Sequence, residues 1–365
     1  MRIAIICDAL DNQNSGIYQY TLQMVHALIK FDMKNEYILI HTKKPIKIEG
    51  AEQITVKNNT LFKSKSLLKK FYLIPQKIRL LNVDAVIEPA HFGPFCLPKN
   101  IKRITIIHDL SPILFPKFHP AYSVIAHKYL LNNFLKKTDY VITNSANTQR
   151  DVNRFFQNIN PKMIYPGADK FYKSSKNKLI LQKYNIEKKY ILSVGTLEPR
   201  KNHLLLVKAF ENLKKQSSNN LKLVLVGNKG WKNNKLHNYI SKSKFKNDIL
   251  IVGFISKEDL RVLYSSAEMM VYPSLYEGFG FPVLEAMQCN CPVITSNCSS
   301  LSEVGGNAVL YFKSNNLTSL TTKISELFLN PELSGKMILK GKQHSNKFNW
   351  EVFVKKFIRI IKKTS

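Results

Sequence analysis

One pattern runs through this chain twice: a short run of Ile, Val and Leu, then a polar loop, then an amphipathic helical stretch. It begins at residues 2–7 and restarts at 190–194. Unbroken apolar runs of this length read as strands buried on both faces, which is the habit of parallel strands. Strands that alternate with helices predict a doubly wound parallel sheet, with the connecting helices on its two faces. Two such series in 365 residues predict two α/β domains, with the turn at 166–169 (Pro-Gly-Ala-Asp) as a hinge. The boundaries expected are 1–168 and 169–349. Strands are expected at 37–41, 53–57, 84–88, 103–108, 140–144 and 162–165 in the first domain. In the second they are expected at 221–227, 249–253, 269–272, 292–296 and 308–312. Helices are expected at 17–30, 120–136 and 257–266, after Ser145, after Asn202 and from about 348. Residues 301–306 read as a loop. In open sheets of this kind ligands bind beyond the carboxyl ends of the strands.

The stretch 272–288 (Tyr-Pro-Ser-Leu-Tyr-Glu-Gly-Phe-Gly-Phe-Pro-Val-Leu-Glu-Ala-Met-Gln) occupies such a place. Gly278 and Gly280 let the backbone turn sharply beside a ligand. Pro282 suits the first position of a helix, so the N–H groups of Val283 and Leu284 would lack intrahelical partners and favour phosphate. Glu277 precedes the glycines and Glu285 follows them; the glycines and proline rule out one continuous helix between the two. Glu277 is therefore expected on a loop and Glu285 on the helix beside it. An anion cradle with two acceptors suited to hydroxyl groups fits a sugar attached to a nucleoside diphosphate. A plain strand–turn–helix junction with solvated glutamates is the alternative.

Other strand ends carry further candidates. Gly195 and Thr196 open a loop that leads to Arg200 and Lys201 at a helix entry, where paired cations can neutralise a diphosphate. Gly253, Phe254 and Ile255 end another strand, where a base could stack or bond to backbone. In the first domain, Gly16 opens a helix after a polar loop, and His108 ends a strand; each also has an ordinary structural reading. Neither domain holds a full Gly-x-Gly-x-x-Gly followed by an acid, nor a phosphate loop with its lysine, which argues against a dinucleotide oxidoreductase or a P-loop NTPase.

The formal net charge is +30. Such an excess concerns partners rather than fold, and nucleic acid, an anionic membrane or a phosphorylated substrate all qualify. The excess is mostly lysine spread along the chain, to which coding bias toward Lys, Asn and Ile contributes. Residues 61–81 interleave six cations with bulky apolar residues; they suit an anionic membrane surface, or an ordinary surface helix with a solvated basic face. The five cysteines are few and unevenly placed, as in a reducing cytoplasm. Cys289, Cys291 and Cys298 read as small buried residues rather than as a zinc site, which wants four ligands. The apolar run at the N-terminus is too short for a secretory signal, and no run spans a bilayer.

Taken in order, the segments 195–202 (Gly-Thr-Leu-Glu-Pro-Arg-Lys-Asn), 253–255, 272–287, 301–306 (Leu-Ser-Glu-Val-Gly-Gly) and 348–351 (Phe-Asn-Trp-Glu) resemble the retaining nucleotide-sugar-dependent glycosyltransferases of family 4, the E-x7-E group. The resemblance implies the GT-B fold, two Rossmann-like domains facing each other across a cleft, with the final helix 350–365 packing back on the first. It implies that Glu285 binds the ribose hydroxyls and that Glu277 lies near the transferred sugar. It gives the backbone N–H groups of Phe279, Gly280 and Phe281 to sugar hydroxyls, and those of Val283 and Leu284 to phosphate. Arg200 and Lys201 match the pair that holds the departing diphosphate, and Gly16 and His108 match cleft positions of the first domain. The resemblance further implies retention by front-face departure and attack. No Asp-x-Asp stands at a strand end, in keeping with a metal-independent reaction with no cofactor beyond the donor substrate. The segments 108–111 (His-Asp-Leu-Ser) and 118–120 (Phe-His-Pro) resemble mannosyl-transferring members, which makes GDP-mannose the expected donor, with UDP-sugars as the alternative. The expected acceptor is a glycan or lipid-linked glycan of surface polysaccharide synthesis, at the inner face of the cytoplasmic membrane. A basic nucleic-acid binder would explain the charge but not the paired glutamates, so no nucleic-acid partner is expected.

Overall fold

A computed structural model of the chain describes residues 1–11, 16–43, 45–56, 72–93, 96–216, 220–231 and 233–362. The chain divides into two compact units, residues 1–167 with 348–365 and residues 168–347. Most of the basic segment 61–81, namely 61–71, lies outside the described residues; beyond it Ile74–Arg79 is a short helix.

The first unit is built on seven parallel strands: β1 (Arg2–Ile6), β2 (Glu36–His41), β3 (Glu52–Thr55), β4 (Ala85–Glu88), β5 (Lys102–Ile107), β6 (Tyr140–Thr143) and β7 (Lys162–Met163). Their order is β3-β2-β1-β4-β5-β6-β7. Ile3 pairs with Tyr37 on one side and Ala85 on the other. Ile3, Ala4 and Ile5 are fully buried, the double-sided burial that the unbroken apolar runs predict. The strand order reverses between β1 and β4, so the crevice for a ligand lies at their carboxyl ends.

The helix Gly16–Phe31 buries Tyr20, Met24 and Leu28 along one stripe. The helix Trp350–Lys362 completes this unit with its own stripe of Phe353, Phe357 and Ile361, spaced by four. Its Trp350 ring lies 5.7 Å from that of Tyr20. A Cβ at Gly167 would stand 2.3 Å from the backbone nitrogen of Trp350. Gly167→Ala is therefore expected to lower stability by roughly 1–3 kcal/mol, as overpacking does, read by urea unfolding.

The helix expected at 120–136 is one helical run with a wider turn inside it: Ala121–Ile125, a π-helical turn Ala126–Leu130, then Leu131–Leu135. Such turns collect at functional sites, and sequence periodicity does not reveal them. Among the described residues no helix is long and apolar enough to cross a membrane.

The second unit has six parallel strands: β8 (Tyr190–Val194), β9 (Lys222–Val226), β10 (Ile249–Gly253), β11 (Met269–Tyr272), β12 (Val293–Ser296) and β13 (Leu310–Phe312). Their order is β10-β9-β8-β11-β12-β13, which reverses between β8 and β11. One core packs the helix His203–Gln216, through Leu206, Ala209 and Phe210, against Leu223, Leu225 and Val271 of the sheet. The expected loop at 301–306 is instead largely a short helix, Leu301–Gly305. Leu301 and Val304, three apart, are both fully buried, and that burial holds a turn whose paired glycines read as a loop.

Candidate active site of the second unit

The strand reversal places two loops side by side, 195–202 after β8 and 273–280 after β11. The first ends in a single 3₁₀ turn, Pro199–Lys201, and Asn202 then takes a left-handed conformation (φ 56°) before the helix begins. This aims Arg200 and Lys201 at the second loop. Arg200 donates from Nη1 to the Tyr276 carbonyl at 2.6 Å and from Nη2 to Glu198 Oε1 at 2.7 Å. Its Nη1 is 3.1 Å from Glu277 Oε2. Lys201 Nζ donates to Glu277 Oε1 at 2.6 Å and to the Tyr272 hydroxyl at 2.7 Å. Each oxygen of Glu277 thus has its own cation.

The loop holds Glu277 from its backbone as well. The Glu277 N–H donates to Ser299 Oγ at 2.8 Å, and Ser300 Oγ donates to the carbonyls of Glu277 and Phe279 at 2.9 and 2.7 Å. Gly280 has φ 116°, a conformation that favours glycine, and caps the helix Phe281–Gln288. That helix starts at Phe281, one residue before the expected Pro282. The Val283 N–H, expected to lack an acceptor, instead donates to the Gly280 carbonyl at 3.1 Å, in the tight first turn that the proline permits. Phe279 is buried and Phe281 half-buried, with ring centroids 4.9 Å apart.

Charge sets the protonation of this cluster. Burial pushes the Glu277 carboxyl up, but Arg200 and Lys201 overcome it and hold it at about 2. Burial lowers Lys201, with Arg200 adding to the fall and Glu277 opposing it. Burial raises Glu198 against the pull of Arg200. His203, buried behind Lys201, is held down at about 3 by burial and then by that lysine, so it is neutral. Two cations facing two buried carboxylates make a locally compensated cluster, and an arriving phosphate would find cations already oriented.

Glu285 lies on the adjoining helix, and its Oε2 accepts from the Tyr264 hydroxyl at 3.0 Å. Burial pushes its carboxyl up to about 7, although Tyr264 and Lys257 pull the other way. The two glutamates therefore shift in opposite senses. Glu285, raised above its unfolded value of 4.5, favours the folded state fully below 4.5, and that gain is lost as pH rises to 7. Glu277, held below 4.5, contributes above that value, and its contribution is lost as pH falls toward 2. Each shift corresponds to at most roughly 3 kcal/mol. Glu285→Gln is expected to flatten the fall in melting temperature between pH 5 and 7, and Glu277→Gln the fall on the acid side.

The other candidates of this unit sit on the same edge of the sheet. The Gly195 N–H donates to the Val226 carbonyl at 2.8 Å, and the Gly227 N–H to the Gly253 carbonyl at 2.8 Å, so the ends of β8, β9 and β10 lie side by side. Thr196 is half-buried there. Phe254 is 58% exposed, an aromatic face open to a ligand, whereas Ile255 turns into the core. Leu284 is buried on the helix. Glu198, Tyr272, His203 and Ser300 belong to the cluster and were not singled out from the sequence. For Glu198 alone a signal existed, a carboxylate two residues before an arginine. Cys289 and Cys291 are buried thiols and Cys298 is half-buried. Among the described residues no group of three or more His, Cys, Asp and Glu side chains is placed to hold a metal ion.

His108 and Gly16 belong to the first unit. His108 is buried, with its ring 4.6 Å from that of Tyr20. Its Nε2 donates to the Pro89 carbonyl at 2.6 Å, and its Nδ1 accepts from Asn144 Nδ2 at 3.4 Å. Burial lowers its pKa, against the Pro89 carbonyl. Behind it stands a histidine pair that the sequence did not signal. His91, at φ 67°, accepts the His108 backbone N–H at Nε2 (3.1 Å) and donates from Nδ1 to His127 Nε2 (3.0 Å). His127 lies on the π turn and donates from Nδ1 to the Ser123 carbonyl at 2.8 Å. A Cβ at Gly16 would meet nothing within 4 Å. Gly16→Ala is accordingly expected to leave the melting temperature unchanged, so any loss of turnover would report a ligand contact.

Residues 176–344 match the family model "Glycosyl transferases group 1", a span that includes Gly195, Arg200, Lys201, Glu277 and Glu285. The chain is 28% identical to O-antigen chain mannosyltransferase B of Escherichia coli, over 96% of this chain and 97% of that protein. It is 27% identical to O-antigen chain mannosyltransferase RfbU of Salmonella typhimurium, over 83% and 84% of the two. Among solved structures it resembles the sucrose-phosphate synthase of Thermosynechococcus elongatus, with a TM-score of 0.80 at 18% identity, covering 100% of this chain and 98% of that one. The two parallel-sheet units are those of the GT-B class.

Proposed function

We propose that this chain, whose residues 176–344 match the family model "Glycosyl transferases group 1", moves mannose from GDP-mannose to a glycan or lipid-linked glycan of O-antigen type, with retention and without a metal ion. One observation carries the reading: Arg200 and Lys201 are held by Glu277 at the carboxyl edge, where the strand order reverses. Breaking the bond between sugar and diphosphate builds negative charge on the leaving oxygens. Two oriented cations stabilise that charge without reorganising as it forms, which is the physical basis for metal independence. In this reading Glu285, raised to about 7 by burial, accepts from the ribose hydroxyls, and their hydrogen bonds favour its ionised form on binding. Phe254 offers its exposed face to the base. The mannosyl choice is supported by the two O-antigen mannosyltransferases that resemble the chain over most of its length.

Donor turnover across GDP-mannose, UDP-glucose, UDP-galactose and UDP-N-acetylgalactosamine tests this, with EDTA and with NMR of the first-formed anomer. GDP-mannose is expected to turn over fastest, EDTA to change nothing, and the α-anomer to appear first. Turnover of no nucleotide sugar would reject the enzyme reading, a UDP-sugar preference the mannosyl one, and a β-anomer the stereochemical one.

A further inference from the structure

The helical run Ala121–Leu135 has two faces of opposite fate. One is spent on the core: Leu131 and Leu135 join Ile107, Leu110 and Val152, and His127 is fixed by His91 and packs on Phe92 at 5.0 Å. The other carries Tyr122, Ile125 and Tyr129, spaced by three and four, which are 77%, 55% and 62% exposed. Leu130 beside them is 44% exposed. Single exposed apolar residues need no explanation, but a bulky stripe on one helix face does.

Its charge indicates the partner. From Leu110 to Thr138 there is no Asp or Glu, while Lys117, Lys128, Lys136 and Lys137 are all exposed. Lys128 Nζ lies 5.4 Å from the ring centre of Tyr129. Tyrosine rings favour the boundary between water and lipid, an aliphatic side chain enters the acyl region, and lysines meet anionic headgroups while their stems cover apolar surface. We propose that this face seats the first unit on an anionic lipid bilayer, with Tyr122, Ile125 and Tyr129 entering the interface and Lys128, Lys136 and Lys137 facing the headgroups. The role of this surface does not depend on which sugar the chain transfers.

Vesicle sedimentation with phosphatidylcholine alone and with about 30% phosphatidylglycerol tests it. Full-length protein is expected to bind the anionic vesicles, less at high salt, and to leave the neutral ones largely unbound. The variant Tyr122→Ser/Ile125→Ser/Tyr129→Ser is expected to lose about tenfold in partitioning. The variant Lys128→Glu/Lys136→Glu/Lys137→Glu, which leaves the apolar stripe intact, is expected to lose at least as much. Circular dichroism and melting temperature check that each is folded, and donor turnover in solution is expected to match the parent. Binding unchanged in both folded variants would overturn the proposal, and so would no binding at all. A concentration-dependent oligomer that only the serine variant abolishes, without vesicle binding, would assign the face to self-association and overturn it too. Vesicle binding by a chain that turns over no nucleotide sugar would leave this proposal standing and reject the proposed function.

Discussion

Glu277→Ala is expected to lower the stability of the second unit by roughly 3–5 kcal/mol and to abolish sugar transfer. The carboxylate is 7% exposed and touches Arg200 at 3.1 Å and Lys201 at 2.6 Å. Removing it leaves two cations facing each other with Glu198 as the remaining carboxylate, beside the Tyr276 carbonyl and the Tyr272 hydroxyl. Urea unfolding of single and double variants apportions the effect: Glu277→Ala/Lys201→Met should be more stable than Glu277→Ala alone, because the uncompensated charge is gone. A Glu277→Ala protein of unchanged stability and unchanged transfer rate would sink both the ion-pair account and the catalytic one. Glu277→Gln separates them, since it keeps the shape and one acceptor oxygen. It should lose less stability than Glu277→Ala yet transfer slowly, because it no longer orients both cations.

Lys201→Met is expected to reduce kcat about a hundred- to a thousandfold with a smaller change in KM for the donor, the signature of an interaction that matters most as charge develops. Methionine fills much the same volume in the half-buried slot beside Tyr272 and His203, so packing survives. Arg200→Lys should fall in the same range for a different reason. One ammonium does not reproduce the fork that spans the Tyr276 carbonyl, Glu198 and Glu277 together. Steady-state kinetics with the preferred donor read both; a change in KM alone would move these residues from charge stabilisation to simple binding.

The central strands were legible because they are compact apolar runs buried on two faces, and their ends marked Arg200, Lys201, Glu277 and Glu285 as residues of one edge. What the sequence hid are the contacts that strand order creates. Tyr272 reads as one more aromatic in a strand, yet its hydroxyl accepts from Lys201, seventy-one positions earlier. His91 and His127 lie in unremarkable surroundings, and the π turn and a left-handed backbone bring their ring nitrogens Nδ1 and Nε2 to 3.0 Å. The turn 301–305 reads as a loop because of the paired glycines Gly305 and Gly306 at its end, while the burial of Leu301 and Val304 decides for helix.

The place of the helix Trp350–Lys362 has a consequence for how the chain comes off the ribosome. Residues 168–347 form the second unit without interruption, so it can close once they have left the ribosome. The first unit is split around it: Tyr20 must wait for Trp350 and Phe353, more than three hundred positions later in synthesis. Until those rings arrive, the apolar stripe of Gly16–Phe31 lacks its lid and is open to chaperones or to wrong partners. A chain truncated after residue 347 and released from the ribosome should therefore show a protease-resistant second unit joined to a first unit that is still readily cut.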